Sequence, residues 1–81
     1  MEVVSIGYSC YIPVGRIIAV VEPSSSPIKR LIQDSRDNGT LIDATYGKKT
    51  KSVIVMDSDH VILSSREPEY ILKPKGEQEN V

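Results

Sequence analysis

Two runs of consecutive apolar residues constrain this chain more than any other feature. Ile17–Val21 and Val53–Met56 are apolar at successive positions, instead of alternating between apolar and polar side chains. Such runs are typical of β-strands that are covered on both faces. The chain also contains nineteen Val and Ile residues against four Leu, a bias that favours strands over helices. The sequence therefore predicts a sheet with two buried faces.

The length of the chain raises the question of what covers those faces. With 81 residues there is room for one helix on one face, and we expect a second copy of the protein on the other. A chain this short buries only about 60% of its unfolded surface and is marginally stable alone. Its single cysteine excludes an intrachain disulfide, so oligomerisation is the remaining common means of stabilisation.

One helix is predicted in the middle of the chain. Ser26 is expected to cap it, Pro27 fits its first turn, and Asn38-Gly39 is a good stop. Its apolar residues follow the i, i+3, i+4, i+7 spacing of one buried stripe. The stripe consists of Ile28, Leu31, Ile32 and Ser35.

Strands are predicted on both sides of the helix. They are Val3–Ile6 with an irregular extended piece after it, Arg16–Val21, Leu41–Tyr46, Ser52–Met56 and Val61–Leu63. The short connections at 47–50 and 57–60 favour an antiparallel meander for the last three strands. The predicted fold class is α+β: a small single domain in the order β-β-α-β-β-β, with one helix packed on a mostly antiparallel sheet.

The charge distribution is more informative than the net charge of -1. Residues 29–51 hold six basic and three acidic side chains, whereas residues 57–81 hold three basic and six acidic ones. Lys48, Lys49 and Lys51 fall together on a predicted hairpin turn, where they can neutralise phosphates and release counterions. The alternative is a solvated hairpin tip. Arg16 begins the predicted central strand and is a second candidate for contacting a phosphate or a base edge of nucleic acid. Its alternative is an ion pair with an acidic residue at the strand edge.

The candidates for chemistry are weak. Asp57-Ser58-Asp59-His60 is rich in oxygen ligands, but Asp and Ser are ordinary turn formers. Cys10 and His60 are a possible nucleophile and base, yet a small buried thiol is much commoner. We therefore expect no enzyme, no metal, no cofactor and no small-molecule substrate. No apolar run approaches the roughly 20 residues of a membrane span, so a soluble cytoplasmic protein is expected.

Four segments resemble one protein family in order and spacing. They are Arg16–Val21, Ser26–Arg30, Leu41–Gly47 and Met56–Ser64. Over about Ile6 to Pro68 the chain resembles RemA, the bacterial extracellular-matrix regulatory protein family. The resemblance implies a cytoplasmic DNA-binding transcriptional regulator of biofilm-matrix genes that assembles as a ring-shaped homo-oligomer.

The resemblance also implies which residues contact duplex DNA. The family's arginine at the start of the central strand matches Arg16, and its paired arginines fall at Lys48 and Lys49. A third basic position falls at Lys51. Apart from the resemblance, the helix face of Lys29 and Arg30 is the next candidate if this turn is not the DNA-contacting surface. Residues 1–68 are then the DNA-binding and oligomerisation domain, and residues 69–81 a loosely ordered polar tail. The alternative is an oligomeric scaffold or protein-interaction module that does not bind DNA.

Overall fold

The computed structural model describes residues 2–72 and has the predicted α+β architecture. The elements in chain order are β1 (Val3–Gly7), β2 (Cys10–Pro13), a 3-10 turn (Val14–Arg16), β3 (Ile17–Val21), α1 (Ser26–Asn38), β4 (Leu41–Asp43), β5 (Ser52–Met56), β6 (Val61–Ser64) and α2 (Pro68–Leu72). The strands and the main helix follow the predicted order, and α2 is an additional element.

The main sheet has four strands in the order β3-β5-β6-β4, and its topology differs from the predicted meander. β5 is antiparallel to both β3 and β6, but β4 runs parallel to β6, with Leu41 opposite Val61. The predicted meander is therefore wrong. The connection at 44–51 is not a hairpin turn, because β4 and β5 are not neighbours and their connection passes the end of β6.

This strand order defines two ends of the sheet. At one end, which we call the Ser64 end, β3, β4 and β6 finish and β5 begins. At the other, which we call the Asp57 end, residues 57–60 join β5 to β6. Because α1 follows β3 and precedes β4, it begins at the Ser64 end and runs back to the Asp57 end.

Both faces of the sheet are covered by the chain itself. Val53 and Ile54 are neighbours on β5 that belong to the cores on opposite faces, and both are fully buried. One core contains Val53, Val61 and Leu63, with Ile28, Leu31 and Ile32 of α1 against it. The other contains Ile54, Met56 and Ile62 with Ile6, Ile12 and Ile71. The expectation that a second copy covers one face is thus wrong, because the β1–β2 hairpin and α2 cover it.

Helix α1 begins one residue earlier than predicted. Ser25, not Ser26, is the N-cap: its backbone is extended and its hydroxyl accepts a hydrogen bond from the Ile28 N–H at 3.4 Å. Pro27 lies in the first turn, as expected, and Gly39 ends the helix with a left-handed φ of 78°. Of the predicted stripe, only Ser35 is fully buried, and the three larger side chains are half-buried.

The C-terminal boundary of the domain lies beyond the predicted residue 68. Pro68–Leu72 forms α2, and Ile71 is 5% exposed in the core beneath the β1–β2 hairpin. The start of the tail at residue 69 therefore needs revision, since 69–72 pack as part of the fold. The remainder of the predicted tail, 73–81, lies outside the described residues.

Candidate nucleic-acid interface

The loop between β4 and β5 carries three of the predicted DNA contacts, and it begins with a polar turn. The Asp43 carboxylate accepts hydrogen bonds from the Thr45 hydroxyl at 2.6 Å and from the Thr45 N–H at 2.9 Å. These bonds lower the pKa of Asp43, the hydroxyl contributing most. Asp43 is therefore held ionised by Thr45, and its hydrogen bonds fix the start of the loop.

A tight turn follows and sets the direction of the lysines. The Lys48 N–H donates to the Thr45 carbonyl at 3.0 Å, while Tyr46 and Gly47 between them have φ values of 55° and 81°. Both central residues are left-handed, as in a type I′ turn. This conformation is uncommon for tyrosine, so the surrounding contacts must compensate for its cost.

An aromatic stack provides such a contact. The ring of Tyr46 stacks on that of Tyr8 with centroids 4.7 Å apart and an interplanar angle of 29°. Tyr8 itself lies in the two-residue turn between β1 and β2, where Tyr8 and Ser9 both have positive φ. The stack therefore joins two left-handed turns from distant parts of the chain. It holds the backbone two residues before Lys48.

The three lysines of this loop differ in their surroundings. Lys48 and Lys49 are exposed, and neither forms an ion pair with a carboxylate of residues 2–72. Lys51 lies 3.5 Å from the Glu67 carboxylate, with both side chains about half exposed. An exposed pair of this kind contributes little stability. All three ammonium groups are accessible to an anion in solution.

Helix α1 adds Lys29 and Arg30 at the same end of the sheet. Both are exposed and lie within the first two turns, which begin at the Ser64 end. The first turn contains no acidic side chain. The structure therefore brings five of the six predicted DNA contacts to one end of the domain.

Arg16 is the exception. It ends the 3-10 turn before β3, its carbonyl accepts from the Asp57 N–H, and its guanidinium lies 3.4 Å from the Asp57 carboxylate. Lys51 directly precedes β5 and Asp57 directly follows it, so the two residues are separated by roughly 20 Å at about 3.3 Å per residue. Within one chain, Arg16 forms the exposed ion pair that the sequence offered as its alternative.

Sequence reasoning missed Arg66, a further cation at the Ser64 end. Its carbonyl accepts a hydrogen bond from the Ser52 hydroxyl, next to Lys51, and its guanidinium carbon lies 5.1 Å from the centre of the Tyr70 ring. In the sequence it belongs to the acidic last third of the chain. The net negative charge of that segment hid Arg66 as a candidate, because its neighbours in the fold are Ser52 of β5 and Tyr70 of α2.

The charges of residues 2–72 are unevenly divided between the two ends. Six cations and four carboxylates lie nearer the Ser64 end: Lys29, Arg30, Lys48, Lys49, Lys51 and Arg66, with Glu22, Asp43, Glu67 and Glu69. Two cations and five carboxylates lie nearer the Asp57 end: Arg16 and Arg36, with Glu2, Asp34, Asp37, Asp57 and Asp59. The opposite signs partly cancel in the total. Their separation gives the Ser64 end a positive field suited to an anionic partner.

The candidates for chemistry are not brought together. Cys10 starts β2, packs against the core and lines a cavity of about 450 Å³ beside Asp43 and Tyr46 at the Ser64 end. His60 is exposed at the Asp57 end, where its Nδ1 lies 2.8 Å from the Ser58 hydroxyl. They therefore form no nucleophile–base pair. Across residues 2–72, no three His, Cys, Asp or Glu side chains are placed to hold a metal ion.

Fold and site together define a small α+β domain with a basic end built from α1, the β4–β5 loop and Arg66, two residues after the end of β6. The sequence profile of the RemA-like family, described as extracellular matrix regulatory protein A-like, matches residues 3–73. The chain therefore belongs to the RemA-like family, and the match includes α2.

Curated relatives support this membership. A protein of Clostridium kluyveri named "Putative regulatory protein" is 49% identical over 84 residues, covering 100% of this chain and 91% of the relative. One of Geobacillus kaustophilus with a similar name is 55% identical over 71 residues, covering 88% and 82%. A third, of Bacillus pumilus, is 48% identical over 81 residues, covering 100% and 91%.

None of the helices within residues 2–72 has the length and apolar character needed to cross a membrane.

Proposed function

We propose that the protein is a DNA-binding transcriptional regulator that acts as a homo-oligomer on extracellular-matrix genes in the cytoplasm, and not as an enzyme. The observation that carries the proposal is the cation excess at the Ser64 end, with Lys48 and Lys49 held on a turn braced by stacked tyrosines. Cations held in place at a protruding turn suit the phosphate backbone of duplex DNA.

The edges of the sheet favour self-association. β3 and β4 are its two edge strands, and each exposes an isoleucine: Ile18 is 64% and Ile42 46% accessible. Open edges with apolar side chains pair readily with another chain. Since the two edges differ, joining them repeats one head-to-tail contact, and such contacts close into rings when the rotation permits.

A ring increases the effect of a modest charge on each subunit. One subunit has an excess of two cations at its Ser64 end, which is a weak attraction for a polyanion. Repeating that end around an oligomer multiplies the local field and allows several subunits to engage one duplex. Arg16, roughly 20 Å from the lysines in its own chain, contributes through a separate contact. Control of matrix genes in particular is supported by the family to which the chain belongs.

Two measurements on the purified wild-type chain test this function. Binding to duplex DNA is titrated at several salt concentrations, and the mass in solution is determined at the same protein concentrations. We expect an oligomer whose DNA affinity falls steeply with salt, with a slope of about -0.9 for each phosphate neutralised. An oligomer without salt-sensitive binding supports the scaffold function instead, and a monomer at micromolar concentration removes the proposed assembly.

A further inference from the structure

Arg66 has an unusual environment for a cation. Its Nε is buried and has no hydrogen-bond partner among residues 2–72, and no carboxylate of those residues lies within 4.0 Å of the guanidinium. Buried donors in folded proteins are nearly always satisfied. The side chain is half-buried, and no hydrogen bond within residues 2–72 engages its terminal nitrogens. The described part of the chain thus places this guanidinium without using its donors.

The guanidinium is nevertheless held in position. The Arg66 N–H donates to the Ser64 hydroxyl at 3.1 Å, and the Arg66 carbonyl accepts from the Ser52 hydroxyl. The side chain lies between the Tyr70 ring and Gly7, with Nε 3.8 Å from the position that a Cβ on Gly7 would occupy. A planar cation fixed by a stack and by two backbone hydrogen bonds loses little conformational freedom when an anion binds.

Neighbouring elements connect Arg66 to the basic loop. Ser52 directly follows Lys51, and Glu67, which pairs with Lys51, directly follows Arg66. On the other side, Gly7 precedes Tyr8, whose ring stacks on Tyr46 of the turn that leads to Lys48. Arg66 therefore belongs to the same end of the molecule as the three lysines.

We infer that Arg66 binds a phosphate of the DNA backbone and supplies a guanidinium fork beside the lysines of the β4–β5 loop. This inference rests on the proposed function. A guanidinium matches two phosphate oxygens at once, whereas an ammonium acts as a point charge. Phosphate is favoured over a carboxylate of another subunit because the surrounding end has an excess of cations.

The test compares Arg66→Gln with the wild-type chain in binding to mixed-sequence duplex DNA across a range of salt. We expect affinity to fall about tenfold for each subunit that loses its contact, as for the loss of one hydrogen-bonded charged contact. The slope of log affinity against log salt should flatten by about 0.9 for each subunit that loses its contact. Arg66→Lys keeps the charge, so it should restore the slope while recovering only part of the affinity.

A matched control is Arg36→Gln. Arg36 is an exposed arginine in the last turn of α1, at the Asp57 end. Its replacement by Gln changes the net charge by the same amount as Arg66→Gln. It should leave affinity and slope within about twofold and 0.3 of wild type, because Arg36 is exposed and solvent screens its charge from the proposed phosphate contacts. Thermal unfolding and mass in solution are measured for every variant to verify the fold and the assembly.

The outcomes separate the two proposals. If the wild-type chain does not bind duplex DNA, the proposed function fails and this inference fails with it. If the wild type binds and Arg66→Gln matches it in affinity and slope, only the inference about Arg66 is overturned. Dissociation of the oligomer by Arg66→Gln also overturns it, because the guanidinium then serves the contact between subunits. An equal effect of Arg36→Gln shows that net charge alone is responsible, which overturns it as well.

Discussion

Replacing Lys48 and Lys49 tests the basic loop most directly. Both are exposed and unpaired within residues 2–72, so Lys48→Ala with Lys49→Ala should change the free energy of unfolding by no more than about 0.5 kcal/mol. If each lysine neutralises one phosphate, the pair contributes about -1.8 to the salt slope per engaged subunit. Over a fourfold rise in salt, the wild type should therefore lose about twelvefold more affinity than the variant for each engaged subunit.

The assay is equilibrium binding to duplex DNA at four or more salt concentrations, with the mass in solution measured alongside. Lys48→Glu with Lys49→Glu should abolish binding while the oligomer persists, because each subunit exchanges two cations for two anions. Arg36→Gln again serves as the control at the opposite end of the sheet. Wild-type affinity and slope in the charge-reversal variant would falsify the assignment of this loop to DNA.

Three further predictions concern the residues that support the site. Ile71→Ala should reduce the free energy of unfolding by about 2–4 kcal/mol in urea titrations, because Ile71 is buried in the core; a loss below about 0.5 kcal/mol would mean that α2 is dispensable. Tyr8→Ala should lower DNA affinity severalfold with an unchanged salt slope, and Tyr8→Phe should restore it, since the stack positions Lys48 without contacting phosphate; equal affinity of Tyr8→Ala and wild type would contradict this. Asp43 has a lowered pKa in the folded state, so its contribution to stability is present above pH about 4 and is lost as the pH falls through that lowered pKa. Asp43→Asn should remove this part of the acid sensitivity, as measured by urea unfolding between neutral and acidic pH, and an unchanged acid profile would contradict it.

Much of the local structure is encoded in short stretches of the sequence. The β-branched runs on β3 and β5 favour extended backbone wherever they pair, because their side chains fit a pleated sheet. Gly39 ends α1 for a reason that is local to it, since it adopts a left-handed φ without the steric cost that a Cβ imposes. The position of the N-cap was wrong by one residue because Ser25 and Ser26 both satisfy the chemistry of a cap.

The pairing of the strands could not be predicted from short stretches of sequence in the same way. A short link between two strands favours a hairpin, and the predicted link at residues 47–50 is short enough for one. The alternative, in which β4 pairs in parallel with β6, depends on Leu41 meeting Val61 twenty residues later. Local propensity carries no information about that choice, since both arrangements use the same extended backbone.

The covering of the second face was also decided by tertiary structure. The apolar runs of β3 and β5 indicate two covered faces, but they do not identify what covers them. Ile6 and Ile12 of the hairpin and Ile71 of α2 perform that role, from opposite ends of the chain. Short segments with few apolar residues give weak patterns, and their burial follows only from where the chain returns.

The candidate site divides along the same line. The three lysines of the loop could be predicted as a candidate site because they lie within four residues of sequence, and charge density along a chain is a local property. Tyr8 and Tyr46, and likewise Arg66 and Ser52, meet only because β4, β5 and β6 place their ends together. The same strand order separates Arg16 from Lys51 by the length of β5. Composition determined that the chain carries nearly balanced charge, whereas the order of the strands decided that the cations gather at one end.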